Sequence, residues 1–280
     1  MYYQITLKIP KIKGELVEEF LYQYISQGWE TIENESKYIF NIFLKDNSLE
    51  IDLLENFLAK HSDIEVSYKV LKEENWAEIW KANFKPIKIG KKLIIIPPWE
   101  KHKADLENVV IIIEPAQAFG TGHHPTTQMM LENIEIFMEK ANKEKLKNLK
   151  ILDLGCGTGI LGITCAKLFK DCKIWAVDID EEALKACQYN AILNKVKTKF
   201  YIRKSIPNIK FHLILANIGY KELKNLAQLL KKLSQKETHL FLSGFLNEDA
   251  EEIIKIYETQ GFKTIKHQRE IEWSFLWMKF

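Results

Sequence analysis

Hydrophobic and polar positions change their rhythm about a quarter of the way along the chain. Up to residue 72 the apolar positions form short alternating or helix-spaced sets. Residues 2–9 alternate as in a half-buried strand, and Glu15–Gln27 carries Leu16, Phe20, Leu21 and Tyr24 at helical spacing. Trp29–Glu33 and Lys37–Leu44 read as two strands joined by Asn34-Glu35-Ser36. A second helix is expected over Ser48–Lys60, with Ser48 placed to cap it and Ile51, Leu54, Phe57 and Leu58 on one face. Ile64–Leu71 closes the set as a fourth strand. The order strand-helix-strand-strand-helix-strand is that of a small ferredoxin-like α+β domain.

Beyond residue 72 the pattern first predicts a connector. In Glu73–Phe84 the residues Trp76, Trp80 and Phe84 fall at i, i+4 and i+8, a short helix whose aromatic stripe suits packing better than ligand contact. Lys85–Pro98 predicts two short strands around Gly90-Lys91, and Val109–Ile113 another. Longer apolar runs then alternate with helical segments. The strands are Leu149–Leu154, Lys173–Val177, Lys199–Arg203, Leu213–Asn217 and His239–Ser243; the helices are about Thr126–Lys140, Ile160–Phe169, Glu181–Asn194, Lys221–Leu233 and Asn247–Gln260. Gly261 stops the last helix, and Lys263–Gln268 with Trp273–Phe280 finishes the chain as a strand pair. This is an α/β pattern built on a mostly parallel sheet.

The chemistry concentrates where the first of these strands ends. Gly155, Gly157 and Gly159 let the backbone turn sharply and approach a ligand, and Asp178 ends the next strand. An acid about 20 residues after a glycine turn accepts hydrogen bonds from ribose hydroxyls. Two fingerprints overlap here. Gly157, Gly159 and Gly162 satisfy the dinucleotide pattern G-x-G-x-x-G, whereas Gly155, Gly157 and Gly159 with Asp153 ahead of them resemble the first motif of S-adenosylmethionine-dependent methyltransferases. Three neighbours favour S-adenosylmethionine. Asp153 is expected to direct a carboxylate to the ligand end of its strand, which suits a cationic amino acid moiety and repels a pyrophosphate. The second strand ends Asp178-Ile-Asp180 and runs straight into a helix, and Leu213–Asn217 ends in an amide at the same sheet edge.

A second polar stretch, Glu114–Gln128, holds Phe119, Gly120, Gly122, His123, His124 and Pro125 ahead of a helix start. It is too polar and glycine-rich for a plain linker and lacks a phosphate-loop lysine, so a lid or substrate-positioning role is expected. The histidine pair has no third ligand at metal spacing, and no metal is expected.

Composition adds bounds. The first 72 residues hold 8 Lys/Arg against 12 Asp/Glu and the remainder 32 against 26, so an acidic unit precedes a basic one. The balance of the whole, +2, gives no nucleic-acid signal. Cys156, Cys165, Cys172 and Cys187 include no C-x-x-C pair and read as buried thiols of a reducing compartment. No run reaches 18 apolar residues and the first residues lack a signal peptide's apolar core, so no membrane segment and a cytoplasmic location are expected. A monomer is expected.

Six strings together resemble one family: Trp76–Pro86, Ile96-Pro-Pro-Trp99, Ala118-Phe-Gly-Thr-Gly-His-His-Pro-Thr-Thr127, Asp153–Leu161, Val177–Asp180 and Ala216-Asn-Ile218. They are similar to the bacterial ribosomal protein methyltransferases of the PrmA type, which modify the large-subunit ribosomal protein L-eleven (L11). The loop around Phe119 narrows the resemblance; the glycine motif alone indicates only a methyltransferase. The likeness covers residues 76–280 well and the first 72 mainly in element order. It implies a ferredoxin-like substrate-recognition domain over 1–72, a linker helix and connecting strands over 73–98, and over 99–280 a seven-stranded Rossmann-like methyltransferase sheet with one antiparallel strand near its edge. It implies methyl transfer from S-adenosylmethionine to lysine side-chain amines and the N-terminal amine of that protein, with no direct nucleic-acid binding. Cofactor contacts then fall on Thr127, Gly155, Asp178 and Asn217 by motif, with Asp153, Gly157, Phe119 and Gly120 beside them. Asn217 is the expected catalytic residue, orienting the incoming nitrogen. No single general base is evident, although His123 or His124 is positioned in sequence to relay a proton. Gly219 replaces the larger apolar residue common after Ala-Asn-Ile; with Gly120 and Gly122 it is expected to leave room for a growing methylammonium. The Asn-Pro-Pro-Tyr string of glutamine and base methyltransferases is absent, since the position reads Asn217-Ile-Gly-Tyr. A lysine methyltransferase of the same build with another protein substrate, a nicotinamide oxidoreductase and a non-enzymatic binding module are the competing readings.

Overall fold

A computed structural model describes residues 2–25, 29–33, 37–46, 48–61, 63–71, 85–100, 107–114, 120–140, 148–169 and 171–280. The connector predicted over 73–84 and Phe119 lie outside these residues. The chain separates into two compact units, Met1–Asn83 and Phe84–Phe280.

The first unit runs β1 (Tyr2–Pro10), α1 (Gly14–Tyr24), β2 (Trp29–Glu33), β3 (Lys37–Lys45), α2 (Leu49–Ala59) and β4 (Glu65–Leu71). Its sheet has the order β2-β3-β1-β4 with every neighbouring pair antiparallel, the split βαβ arrangement. Alternation decides which face is covered: Ile5, Leu7 and Ile9 of β1 and Phe40, Ile42 and Leu44 of β3 are buried with Val17, Leu21 and Leu54 of the helices. Ser48 occupies the N-cap of α2, but its hydroxyl makes no capping bond. The third helical N–H, Ile51, donates instead to the Ser48 backbone carbonyl at 3.1 Å.

In the second unit β5 (Ile87–Ile89), β6 (Leu93–Ile96) and β7 (Val109–Ile112) form a separate three-stranded sheet, with β6 and β7 parallel. There follow α3 (Pro125–Lys140), β8 (Leu149–Leu154), α4 (Ile160–Leu168), β9 (Cys172–Val177), α5 (Glu181–Leu193), β10 (Phe200–Arg203), β11 (Phe211–Asn217), α6 (Tyr220–Leu233), β12 (Ser234–Leu246), α7 (Ala250–Thr259), β13 (Lys263–Glu270) and β14 (Trp273–Lys279). These strands make one sheet in the order β10-β9-β8-β11-β12-β14-β13. The first five are parallel, and β14 is antiparallel to both of its neighbours. The continuous apolar runs are explained by burial on both faces. Ile151, Leu213, Leu215, Phe241 and Phe275 pack toward α3 and α4, while Leu152, Ile214, Ala216, Leu240 and Leu276 pack toward α6 and α7.

Buried amides fix the small sheet to the large one. Asn190 of α5 accepts from the Glu114 N–H at 2.9 Å and donates to the Thr158 carbonyl at 3.0 Å. Asn194 accepts from Ile112 N–H at 2.9 Å and donates back to its carbonyl at 2.5 Å. The buried carboxylate of Glu135 on α3 accepts from the N–H groups of Lys91 and Lys92, closing the β5–β6 turn. Strand order reverses between β8 and β11, the place where a parallel sheet opens a crevice at its carboxyl edge.

Candidate active site

Three strand ends converge at this crevice. At the first, Gly155, Gly157 and Gly159 have φ of 67°, 51° and 80°, which a side chain strongly disfavours. The turn is tied to β9: the N–H groups of Gly155 and Cys156 donate to the Val177 carbonyl at 2.8 and 3.1 Å. Gly159 sits at the N-cap of α4 and has no side chain to cap it; a Cβ there would meet Cys187 Sγ at 2.6 Å. Asp153 supplies the cap from the preceding strand. The Gly162 N–H, third in the helix, donates to Asp153 Oδ2 at 2.8 Å.

Asp153 is therefore enclosed beneath the turn and does not line the crevice, contrary to its expected contact with the donor's cationic end. Burial pushes its carboxyl up to about 7, the Gly162 N–H opposing and the charge of Asp178 adding to the rise. Its second oxygen has no partner among the described residues.

The second strand end carries Asp178. Its Oδ2 accepts from Gly157 N–H at 3.0 Å and its Oδ1 from Asp180 N–H at 3.1 Å. Each oxygen keeps a further lone pair for a ligand. Asp180 in turn caps α5 by accepting from Glu182 N–H at 2.9 Å.

The third end is Asn217 at the close of β11. Its amide nitrogen donates to Thr126 Oγ1 at 3.3 Å and Thr127 Oγ1 at 3.4 Å, reaching across to the first turn of α3. Its buried Oδ1 has no partner among the described residues. His124 leads into the same turn, with Nδ1 2.7 Å from Thr126 Oγ1 and its ring edge-on to Trp273 at 4.8 Å. Burial pulls its pKa below the usual imidazole value, against the raising effect of Glu272.

Together these ends enclose a cavity of about 630 Å³. Gly155, Gly157, Asp178 and Asn217, four of the residues singled out in the sequence, line it. Thr127 is buried beside the cavity, its hydroxyl accepting from Asn217, and its neighbour Thr126 is on the wall. Gly120 is not on the wall. Its missing side chain makes space for Thr158, whose hydroxyl donates to the Gly120 carbonyl at 2.5 Å. The room expected at Gly122 is filled, since a Cβ there would meet Ile95, Ile160 and Ile87; Gly219 is exposed and on the wall, and a Cβ on it would meet only the far end of the flexible Glu222 side chain. Sequence reasoning missed Trp273, Leu226, Glu222 and Gly244, all on the wall. Ile218, Glu222 and Leu226 recur every four residues from the end of β11 into α6, a signal that was available.

The family model described as ribosomal protein L11 methyltransferase (PrmA) matches residues 2–280. The chain belongs to that family. A ribosomal protein L11 methyltransferase of Geotalea uraniireducens is 32% identical over 304 residues, covering 98% of this chain and 96% of the relative. One from Geotalea daltonii is 33% identical, covering 97% and 95%. The crystal structure of ribosomal protein L11 methylase from Lactobacillus delbrueckii subsp. bulgaricus superposes with a TM-score of 0.62 at 28% identity, over 70% of this chain and 98% of that one. The seven-stranded sheet and its carboxyl-edge crevice are thus those of a methyltransferase.

Proposed function

We propose that the protein transfers methyl groups from S-adenosylmethionine to amines of ribosomal protein L11, at lysine side chains and the N-terminus. The carrying observation is Asn217 Oδ1, a buried acceptor without a partner among the described residues, at the crevice of a chain of this family. A buried unpaired oxygen costs about 1–3 kcal/mol unless a ligand satisfies it, and an incoming amine carries N–H donors.

The wall fits a sulfonium nucleoside. Asp178 keeps lone pairs for a ribose diol, and Ile179, Ile206 and Leu226 offer apolar surface for a base. Ile179 is 91% exposed, an apolar side chain held out at the cavity among the described residues. S-adenosylmethionine supplies an already activated methyl, so positioning is the main task left to the protein. Thr126 and Thr127 accept from the Asn217 amide nitrogen, which leaves Oδ1 as the acceptor of that side chain. Asn217 Oδ1 then holds the amine through an N–H with its lone pair directed at the methyl carbon. A lysine amine, with a solution pKa of about 10.4, must shed its proton first. Partial enclosure favours the neutral form. The acidic first unit would present the basic substrate; 1–72 as a recognition domain, 73–98 as linker and 99–280 as catalytic domain remain part of this proposal.

Incubation with S-adenosylmethionine and unmodified L11, followed by mass spectrometry, tests the reading. Mass gains in steps of one methyl, lost in Asp178→Ala, are expected. No gain while S-adenosylmethionine still binds would move the substrate elsewhere.

A further inference from the structure

One end of the cavity is walled by two rings that the reaction as described does not use. Trp273 opens β14 and His124 precedes α3. Their ring centroids are 4.8 Å apart with planes at 68°, and both side chains line the cavity. The pair is tied to the acceptor amide: His124 Nδ1 lies 2.7 Å from Thr126 Oγ1, and that oxygen accepts from Asn217 Nδ2 at 3.3 Å. The indole is therefore linked to the amide proposed to hold the amine through one ring contact and two hydrogen bonds. Burial disfavours the charged form of His124, which lessens the repulsion a cation would meet from the second ring.

A lysine amine changes character as it is methylated. In each transfer its lone pair forms the new N–C bond while the S–C bond breaks, leaving that electron pair on sulfur as a neutral thioether. The nitrogen becomes an ammonium, and one N–H proton must pass to solvent before the next transfer. Each round thus removes an N–H that Asn217 could hold and adds an apolar methyl. A weakly hydrated, alkylated cation is what the face of a tryptophan binds best.

Resting on the proposed function, we propose that Trp273, with His124 edge-on beside it, forms a subsite for the methylated ammonium. The subsite retains the amine as its contact with Asn217 weakens, and so favours successive transfers to one nitrogen.

The test uses the full chain saturated with S-adenosylhomocysteine. Calorimetry compares a peptide carrying trimethyllysine with the same peptide carrying the neutral carbon isostere. The cation is expected to bind about 5- to 30-fold more tightly. Trp273→Leu should erase that preference and Trp273→Phe keep part of it, which separates loss of the ring from loss of packing. On L11, Trp273→Leu should shift the product masses toward fewer methyls per amine. Equal affinity of the wild type for both peptides, no binding of the trimethyllysine peptide, or a preference that survives in Trp273→Leu would overturn the subsite. If wild-type protein adds no methyl to L11, the functional proposal fails, and the peptide comparison still judges the subsite by itself.

Discussion

Gly244 offers the sharpest test of how the acceptor loop is held. It lies in β12 with φ of 95°, where the register with β14 shifts between Ser243 and Phe245. This bulge brings the strand against the segment that leaves β11, and the Ile218 N–H donates to the Ser243 carbonyl at 3.1 Å. A Cβ on Gly244 would stand 2.4 Å from the Ile218 carbonyl oxygen and 2.9 Å from its nitrogen. Both are backbone atoms, so no rotamer change relieves the clash. Restoring an ordinary contact requires Ile218 to retreat by roughly 0.6–1 Å, and Asn217 is bonded directly to it. A displacement of about 1 Å at a positioning residue costs up to roughly 100-fold in rate. Gly244→Ala is therefore predicted to lower kcat by about 10- to 100-fold. The left-handed backbone adds about 1–3 kcal/mol of strain and lowers Tm by a few degrees. Single-turnover methyl transfer, measured well below Tm and normalised to sites titrated with S-adenosylhomocysteine, separates the two effects. A rate constant within twofold of wild type would refute the argument that this contact sets the position of Asn217.

Three further predictions follow from the site. Asn217→Ala removes the acceptor oxygen and should lower the single-turnover rate by about 100-fold; a fall of less than threefold would mean that the amine is held by another group. Asp153 reverses the usual carboxylate linkage. Its folded pKa of about 7 lies above the unfolded value of about 3.9, so the unfolded chain binds fewer protons between those limits. Stability should fall as pH rises through that window, by up to about 4 kcal/mol, with no further loss once both states are ionised. Asp153→Asn keeps an oxygen for the Gly162 N–H and should flatten this slope in denaturant titrations at pH 4.5 and 7.5, whereas an unchanged slope would assign it to other groups. Asn190→Ala strands the Glu114 N–H and the Thr158 carbonyl and should cost about 2–4 kcal/mol, read as a lower denaturant midpoint; a loss under about 0.5 kcal/mol would show that water replaces the amide.

The sequence by itself determined the element order and the faces of the sheets. A period of two in β1 and β3, the apolar stretches Leu213–Ala216 in β11 and Leu240–Leu242 in β12, and glycines at positive φ are local properties that any fold of this chain must satisfy. It also marked the three strand ends, because the glycine turn, Asp178 and Asn217 each sit at the close of an apolar run. What a side chain does there depends on neighbours distant in the chain, and only the tertiary structure decided it. Asp153 reads as a ligand group because it precedes the glycines, yet the uncapped start of α4 draws it inward. Gly120 and Gly122 read as open space, yet Thr158 and isoleucines fill what they leave. Trp273 has no motif around it and reaches the cavity because β14 is inserted antiparallel beside β12, which brings the turn of the final hairpin to the carboxyl edge of the parallel strands. Local pattern fixes direction and burial along one element; the partners of a side chain are set by strand order, which no single stretch of sequence contains.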